Sequence, residues 1–397
     1  MDKRLVSLEV ENFRSLRKIH LPLGDLTVLV GPNGAGKTNV LKVFEFLADI
    51  IRTDLEPALN ARGGFDQIVF HGGEKPPSSI RINATATWTT HSSRNGPDEY
   101  ELRITRTRRS TGDVLSRREA FQFKRPQGRG RRITISGQQA TVVNTGATGG
   151  TEDSIGIKSF SSGLSTLPRL HGAGGEEVSA VADRLASFRV FDVAVPAARR
   201  PARISRHREY LEDDASNLAS FMLMLRRTDP SSFEQLEEDA RRALPQLDSI
   251  EFEYPANGSN EVVVVLHERG LRRPTPLVDA SYGTVRLLGL LALLYDPDPP
   301  ALTCIEEIDH GLHPQALEML VERLRDASER SQFLIATHSP ALADRLRPEE
   351  FVICERRDDG SSAIPAVSLA DVRRIVQASD DLPLGELWFS GALGGDL

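Results

Sequence analysis

Apolar and polar residues alternate from Leu5 to Val10, break at Asn12-Phe-Arg-Ser15 and resume over Ile19-His-Leu-Pro-Leu23, which predicts two strands joined by a turn. The continuous apolar run Leu26-Thr-Val-Leu-Val30 reads as a buried strand. Beyond it, Val40, Leu41, Val43, Phe44, Phe46, Leu47, Ile50 and Ile51 fall at helical spacing, so strand, glycine-rich loop and helix follow one another. Between about 79 and 144 the texture changes to short alternating runs, among them Ile80-Arg-Ile-Asn-Ala-Thr-Ala-Thr-Trp88 and Tyr100-Glu-Leu-Arg-Ile-Thr105, separated by turn residues. These runs predict an antiparallel meander. Residues 144–175, rich in Gly, Ser and Thr, are expected to form a mobile loop or linker.

Helical patterns return at 176–190, 215–228 and 231–244, where Ser231 with Glu234 suggests a capping box. Two strands, 249–254 and 261–267, precede an apolar helix that follows Ser281-Tyr-Gly-Thr284. From there strand and helix alternate over 301–306, 313–329, 332–337 and 350–354. Such alternation argues for an α/β fold with a mostly parallel sheet flanked by helices. Four segments result: 1–78 with the glycine-rich loop, 79–144 as a β-rich subdomain, 145–245 as loop and helical lobe, and 246–397.

Composition changes this picture little: 39 % hydrophobic and 26 % charged residues over 397 positions describe an ordinary folded chain. Only Cys304 and Cys354 occur, each in an apolar segment, which excludes a disulfide scaffold and a four-cysteine zinc site and fits a reducing cytoplasm. The longest apolar run, Leu287 to Tyr295, is nine residues, so no membrane span is expected. Charge adds more. The net −7 conceals eleven basic side chains against three acids in residues 101–132, an excess of +8 that leaves −15 elsewhere. The basic residues are Arg103, Arg106, Arg108, Arg109, Arg117, Arg118, Lys124, Arg125, Arg129, Arg131 and Arg132. A second patch, Arg199 to Arg208, carries five arginines. Both are compatible with DNA or RNA contact and equally with a solvated or partner-facing surface.

The loop after the first buried strand is Gly31-Pro32-Asn33-Gly34-Ala35-Gly36-Lys37-Thr38, followed by Asn39. It matches G-x-x-x-x-G-K-[ST] in the strand-loop-helix setting that phosphate binding needs. Its glycines let backbone N–H groups wrap phosphates at a helix N-terminus, Lys37 reaches the β and γ phosphates, and the Thr38 hydroxyl binds Mg²⁺. ATP and Mg²⁺ are therefore the expected cofactors. A second apolar strand ends in Glu306-Glu307, whose strand alternation sends the two carboxylates to different sides. One suits the metal or its water, and the other can polarise an attacking water. A third, Phe333-Leu-Ile-Ala-Thr337, ends at His338, where a neutral imidazole can bond a γ-phosphate oxygen or that water.

With Asn12-Phe-Arg-Ser-Leu16, Ser281-Tyr-Gly-Thr284, Ile305-Glu-Glu-Ile-Asp-His-Gly-Leu-His-Pro314 and Ala336-Thr-His-Ser-Pro340 in this order, the chain resembles the ATPase heads of the ABC superfamily in its SMC, RecF and OLD-like branch. The resemblance implies a P-loop ABC-type head with an antiparallel β subdomain and an inserted helical lobe, which closes as a homodimer on ATP. On that basis Ser281 and Gly283 touch the γ-phosphate of a second copy, Glu306 is the metal-side carboxylate and Glu307 the catalytic base. Asp309 to His313 form the loop between sites, His338 is the switch histidine, and Arg14 is a further candidate phosphate contact.

The chain departs from the commoner pattern in having Glu-Glu where Asp-Glu is usual, and Ser-Tyr-Gly-Thr in place of the transporter signature. The second departure argues against a transport ATPase. Gln67 is one candidate for the metal-sensing glutamine. No Toprim-type acidic cluster or long coiled-coil arm is recognisable, so a separate effector protein is expected. The setting implied is DNA repair or anti-phage defence; the alternative is a nucleotide-gated scaffold with negligible turnover that regulates a separate nuclease or toxin.

Overall fold

The computed structural model describes residues 4–110, 112–125, 130–146, 149–169, 175–205, 210–255, 260–380 and 382–394. At its centre lies a parallel sheet in the order Arg189–Phe191, Leu302–Glu306, Gln332–Thr337, Leu26–Val30, Phe351–Ile353. Its three middle strands are buried almost throughout, as continuous apolar runs covered on both faces must be. Side-chain alternation divides them between two cores. Val28, Val30, Ile305, Phe333 and Ile335 face helices Leu218–Thr228, Pro230–Ala243, Tyr282–Leu294 and Pro314–Ser328. Leu29, Leu302, Cys304, Leu334 and Ala336 join a core built from helix Lys37–Thr53 and a second sheet.

That second sheet is antiparallel and runs Leu16–Pro22, Leu5–Phe13, Ser79–Ala86, Asp98–Arg109, Gly112–Phe123, Gly130–Ser136, Gln139–Gly146, Gly149–Gly156. It crosses two boundaries drawn from the sequence. Val10 pairs with Ile82 and Leu8 with Ala84, so the N-terminal hairpin and the basic meander form one sheet, with no break at residue 78. The strand Gly149–Gly156 lies where a mobile loop was expected, pairing Ile155 with Ala140. A neighbour's free edge supplies backbone partners to a segment whose own β-propensity is low, which is why composition concealed it. Buried Leu164 and Leu167 anchor the turns that follow, while residues 170–174 of the expected loop lie outside the described residues.

The helix expected at 231–244 spans Pro230–Ala243, and its cap is Asp229, which accepts from the Ser232 N–H at 3.2 Å and from Ser231 Oγ at 2.7 Å. The Ser231–Glu234 box does not form because Pro230, with φ preset for a first helical position, starts the helix one residue earlier. Helix Gly175–Ala186 likewise stops short of 190, since Arg189–Phe191 extends to edge the parallel sheet. Both cysteines are buried and unpaired, and burial pushes the Cys354 thiol up to about 12. Among the described residues no helix is long and apolar enough to cross a membrane.

Candidate nucleotide site

Strands Leu26–Val30, Gln332–Thr337 and Leu302–Glu306 are adjacent and parallel, so their carboxyl ends bring the phosphate loop, His338 and the Glu306–Glu307 pair to one edge. This is the edge at which open α/β sheets bind ligands. Gly34 and Gly36 both have positive φ, and helix Lys37–Thr53 begins at Gly36 without a side-chain cap. Its first N–H groups therefore face the loop, the arrangement that favours phosphate. A Cβ at Gly36 would collide with Ser362 Oγ and approach Ser15 Oγ within 2.7 Å, so the position is glycine by conformation and by contact.

Lys37 folds back on the loop, its Nζ donating to Gly31 O at 2.7 Å and Pro32 O at 3.0 Å. Burial pushes its ammonium below the usual lysine value, against the pull of Cys354, Glu307 and Glu306. Both carboxylates thus act on Lys37 electrostatically. The Thr38 side chain is exposed, as are Asn33 and Gly34, while Ala35 is buried. Asn39 donates its amide to Ser15 Oγ at 2.8 Å. Arg14 stands beside Ser15 in the first hairpin turn with φ 51° and donates its N–H to Ile68 O at 2.7 Å. That bond seats Gln67, exposed on the short helix Phe65–Ile68, next to the Arg14 turn.

The Glu306–Glu307 pair is not two consecutive residues of one strand, so strand alternation does not govern both. Glu306 ends the strand, and Glu307 leaves it with φ 47°, the left-handed region that a glutamate rarely occupies. Its N–H donates to Ala336 O at 2.8 Å, its carbonyl accepts from His310 N–H at 3.0 Å, and its Oε1 stands 3.5 Å from His338 Nδ1. Both side chains of that last pair are about half exposed, open to a ligand at the sheet edge. Thr337 Oγ1 donates to Asp309 Oδ1 at 2.7 Å, tying the histidine's strand to the loop after the glutamates. Among the described residues no group of three or more His, Cys, Asp or Glu could hold a metal unaided. A divalent ion at Glu306 and Thr38 would therefore complete its shell with water or phosphate oxygens, the ligand set that Mg²⁺ takes with a nucleotide.

Ser281 caps helix Tyr282–Leu294, its Oγ accepting from the Thr284 N–H at 3.1 Å. The turn rests on the Asp309–His313 loop: Tyr282 meets the His310 ring edge-on at 5.6 Å, and a Cβ at Gly283 would collide with Gly311 O. Among the described residues, no hydrogen bond joins Ser281 or Gly283 to the phosphate loop.

Four contributors escaped the sequence reading. Arg199, counted in a basic patch, donates to Ala280 O at 2.6 Å and braces the residue before Ser281. Ser362 bonds Ser15 Oγ at 2.7 Å, and Arg356 stands 3.4 Å from Gly34 O, so the chain's last hairpin flanks the phosphate loop. Arg286, five residues after Ser281, is the fourth. Only Arg286 has a local signal: a charge inside an otherwise apolar helix must meet a polar partner.

The basic meander divides by strand parity. Arg117 and Glu119 share the inward face of Phe121 and Phe123, fully buried and 3.3 Å apart. Arg106 pairs with Asp66, Lys124 with Glu99, and Arg125 and Arg131 with Glu177. Arg103, Arg108, Arg109, Arg118 and Arg132 are exposed. Arg103 sits directly opposite both Arg81 and Arg118, and among the described residues only Arg81 of these three is ion-paired, with Glu101, Glu9 and Glu11. Arg129, Arg206 and Arg208 lie outside the described residues.

Residues 26–344 match the family described as "AAA domain, putative AbiEii toxin, Type IV TA system". An OLD nuclease of Thermus scotoductus is 49 % identical over 57 residues, which cover 14 % of this chain and 10 % of that protein. The DNA replication and repair protein RecF of an Anaeromyxobacter species is 42 % identical over 72 residues, 18 % of each chain. The match thus spans under a fifth of either relative's length. A solved SMC head bound to the C-winged helix domain of ScpA superposes with TM-score 0.56 at 14 % identity, covering 93 % of this chain and 99 % of that one, a likeness of fold. The chain belongs to this AAA family, has the fold of an SMC ATPase head, and is locally similar to an OLD nuclease and to RecF.

Proposed function

We propose that the protein is an Mg²⁺-dependent ATPase whose two copies close on ATP, and that the closed state engages nucleic acid or a separate effector protein. The observation that carries this reading is the division of the machinery. Lys37, Glu306, Glu307 and His338 share one sheet edge, while the Ser281 turn is seated on Asp309–His313 instead of on its own phosphate loop. A second copy supplies the missing half of each site. Lys37, the loop N–H groups and Ser281 with Gly283 would hold the phosphates, and Thr38 with Glu306 would hold the metal. The metal would neutralise charge on the transferring phosphoryl group. Glu307 takes the proton of the attacking water, and His338 orients the γ-phosphate beside it.

Two variants test the division. Lys37→Ala should bind ATP weakly and lose hydrolysis, whereas Ser281→Arg should bind ATP normally yet neither dimerise nor hydrolyse it. Equilibrium binding, phosphate release and solution mass read these outcomes. Wild-type turnover in either variant, or an ATP-driven dimer of Ser281→Arg, contradicts the reading.

Names of the relatives, a nuclease and a replication and repair protein, support a setting in DNA repair or anti-phage defence. Like charges placed opposite each other destabilise a sheet, so Arg103 and Arg118 form a place where a polyanion would relieve repulsion. If duplex DNA binds there, Arg103→Gln with Arg118→Gln should reduce the log–log salt slope of affinity by roughly 2, about 0.9 per lost phosphate contact. An unchanged slope assigns this face to solvent or a protein partner.

A further inference from the structure

We propose that Arg286 is a positioning residue which lets the signature turn of one subunit set the catalytic carboxylate of that same subunit. The inference rests on the dimeric site above and adds a route between its two nucleotides. Arg286 lies one turn into helix Tyr282–Leu294, 3 % exposed, in a helix otherwise apolar after Thr284. Its guanidinium donates to Glu307 O at 2.8 Å and to Glu306 O at 3.2 Å, and its other terminal nitrogen reaches Asp192 Oδ1 at 3.2 Å.

The carbonyl it holds belongs to the residue with φ 47°. Left-handed backbone at a glutamate persists only where surrounding bonds over-determine it. Three do so here: the Glu307 N–H to Ala336 O, the His310 N–H to Glu307 O, and Arg286. The first two come from the parallel sheet and the adjoining turn. Arg286 alone comes from the helix whose N-terminus would meet the partner's nucleotide.

The same helix touches the same loop a second time, through Gly283 against Gly311 and Tyr282 against His310. Signature turn, Arg286 and residues 306–311 therefore move as one packed unit. Seating Ser281 on the partner's ATP then fixes the backbone from which Glu307 reaches its own water, so neither site is competent until the other is filled.

The test is a double-mutant cycle on the full chain with ATP. Arg286→Met removes both carbonyl bonds but strands no buried charge, because Asp192 is largely exposed. Turnover should drop by about 10²-fold, the scale of an ångström-sized misplacement of a catalytic group. ATP affinity, KM and ATP-driven dimerisation should stay unchanged. In the Glu307→Gln background, Arg286→Met should then cost nothing further.

A merely structural arginine would instead lower thermal stability and lose activity additively with Glu307→Gln. Additive loss, or turnover of Arg286→Met within about threefold of wild type, overturns the proposal. If Arg286→Met does not fold, Arg286→Lys, which keeps the charge beside Asp192 but cannot span both carbonyls, should show the same split between kcat and KM. Unchanged kcat there overturns it equally. Wild-type turnover in Glu307→Gln by itself would remove the reading of the site, and this inference with it.

Discussion

Turnover of a Glu307→Gln protein should fall by about 10²–10⁴-fold while ATP affinity stays near that of the wild type. Glutamine keeps the shape of the side chain and can still accept a hydrogen bond from water, but it cannot take the proton. Nothing in the substitution disturbs the backbone bonds of Glu307 to Ala336 and His310. On the proposed cycle, in which bound ATP closes two copies and its hydrolysis opens them, the variant should accumulate as a dimer when ATP and Mg²⁺ are added. Phosphate release under saturating ATP and mass by light scattering measure the two effects. Unimpaired hydrolysis would exclude Glu307 as the base, and slow hydrolysis without a dimer would leave the carboxylate its role but refute closure.

Glu119→Ala should destabilise the fold by about 3–5 kcal/mol, the range for removing one member of a buried ion pair. Glu119 is fully buried and accepts from Tyr100 OH at 3.1 Å, Ser162 Oγ at 3.0 Å and Gly163 N–H at 3.0 Å. Burial raises its pKa while Arg117 opposes the shift. Alanine would leave Arg117 charged and enclosed with Lys158 O as its hydrogen-bond partner, and would unbind the turn at Ser162–Gly163 that packs Leu164 into the core. Denaturant titration reads the loss. Substituting both residues by leucine should recover part of it, since no charge then remains buried; a double variant less stable than Glu119→Ala would show that the hydrogen bonds outweigh the pair.

Arg117 also shows what a sequence reading by composition overlooks. Charge alone places it in the basic meander as a candidate nucleic-acid contact, yet its parity with Glu119, Phe121 and Phe123 points inward. Arg106 has the parity of Tyr100, Leu102 and Ile104 in the same way, and packs over Phe65 while paired with Asp66. Parity could have separated both from Arg103 and Arg118. No such rule could find Ser362 beside Ser15, 347 positions apart, or Arg356 beside Gly34. Those contacts come from adding Phe351–Ile353 to the sheet next to Leu26–Val30, which carries the last hairpin over the phosphate loop.

By itself the sequence determined the pieces whose chemistry is local. A phosphate loop is eight consecutive residues with a backbone demand on its glycines, a buried parallel strand is a short continuous apolar run, and a carboxylate or histidine at such a strand's end stands at the ligand-binding edge. Tertiary structure alone decided which pieces became neighbours: that one antiparallel sheet would unite residues 5–22 with the meander, and that the Ser281 turn would rest on Gly311. It also decided that Arg286 would hold the Glu306 and Glu307 carbonyls. The physical reason is that strand pairing and burial are satisfied between segments distant in the chain, through register and close approach, and neither leaves a mark at a single position.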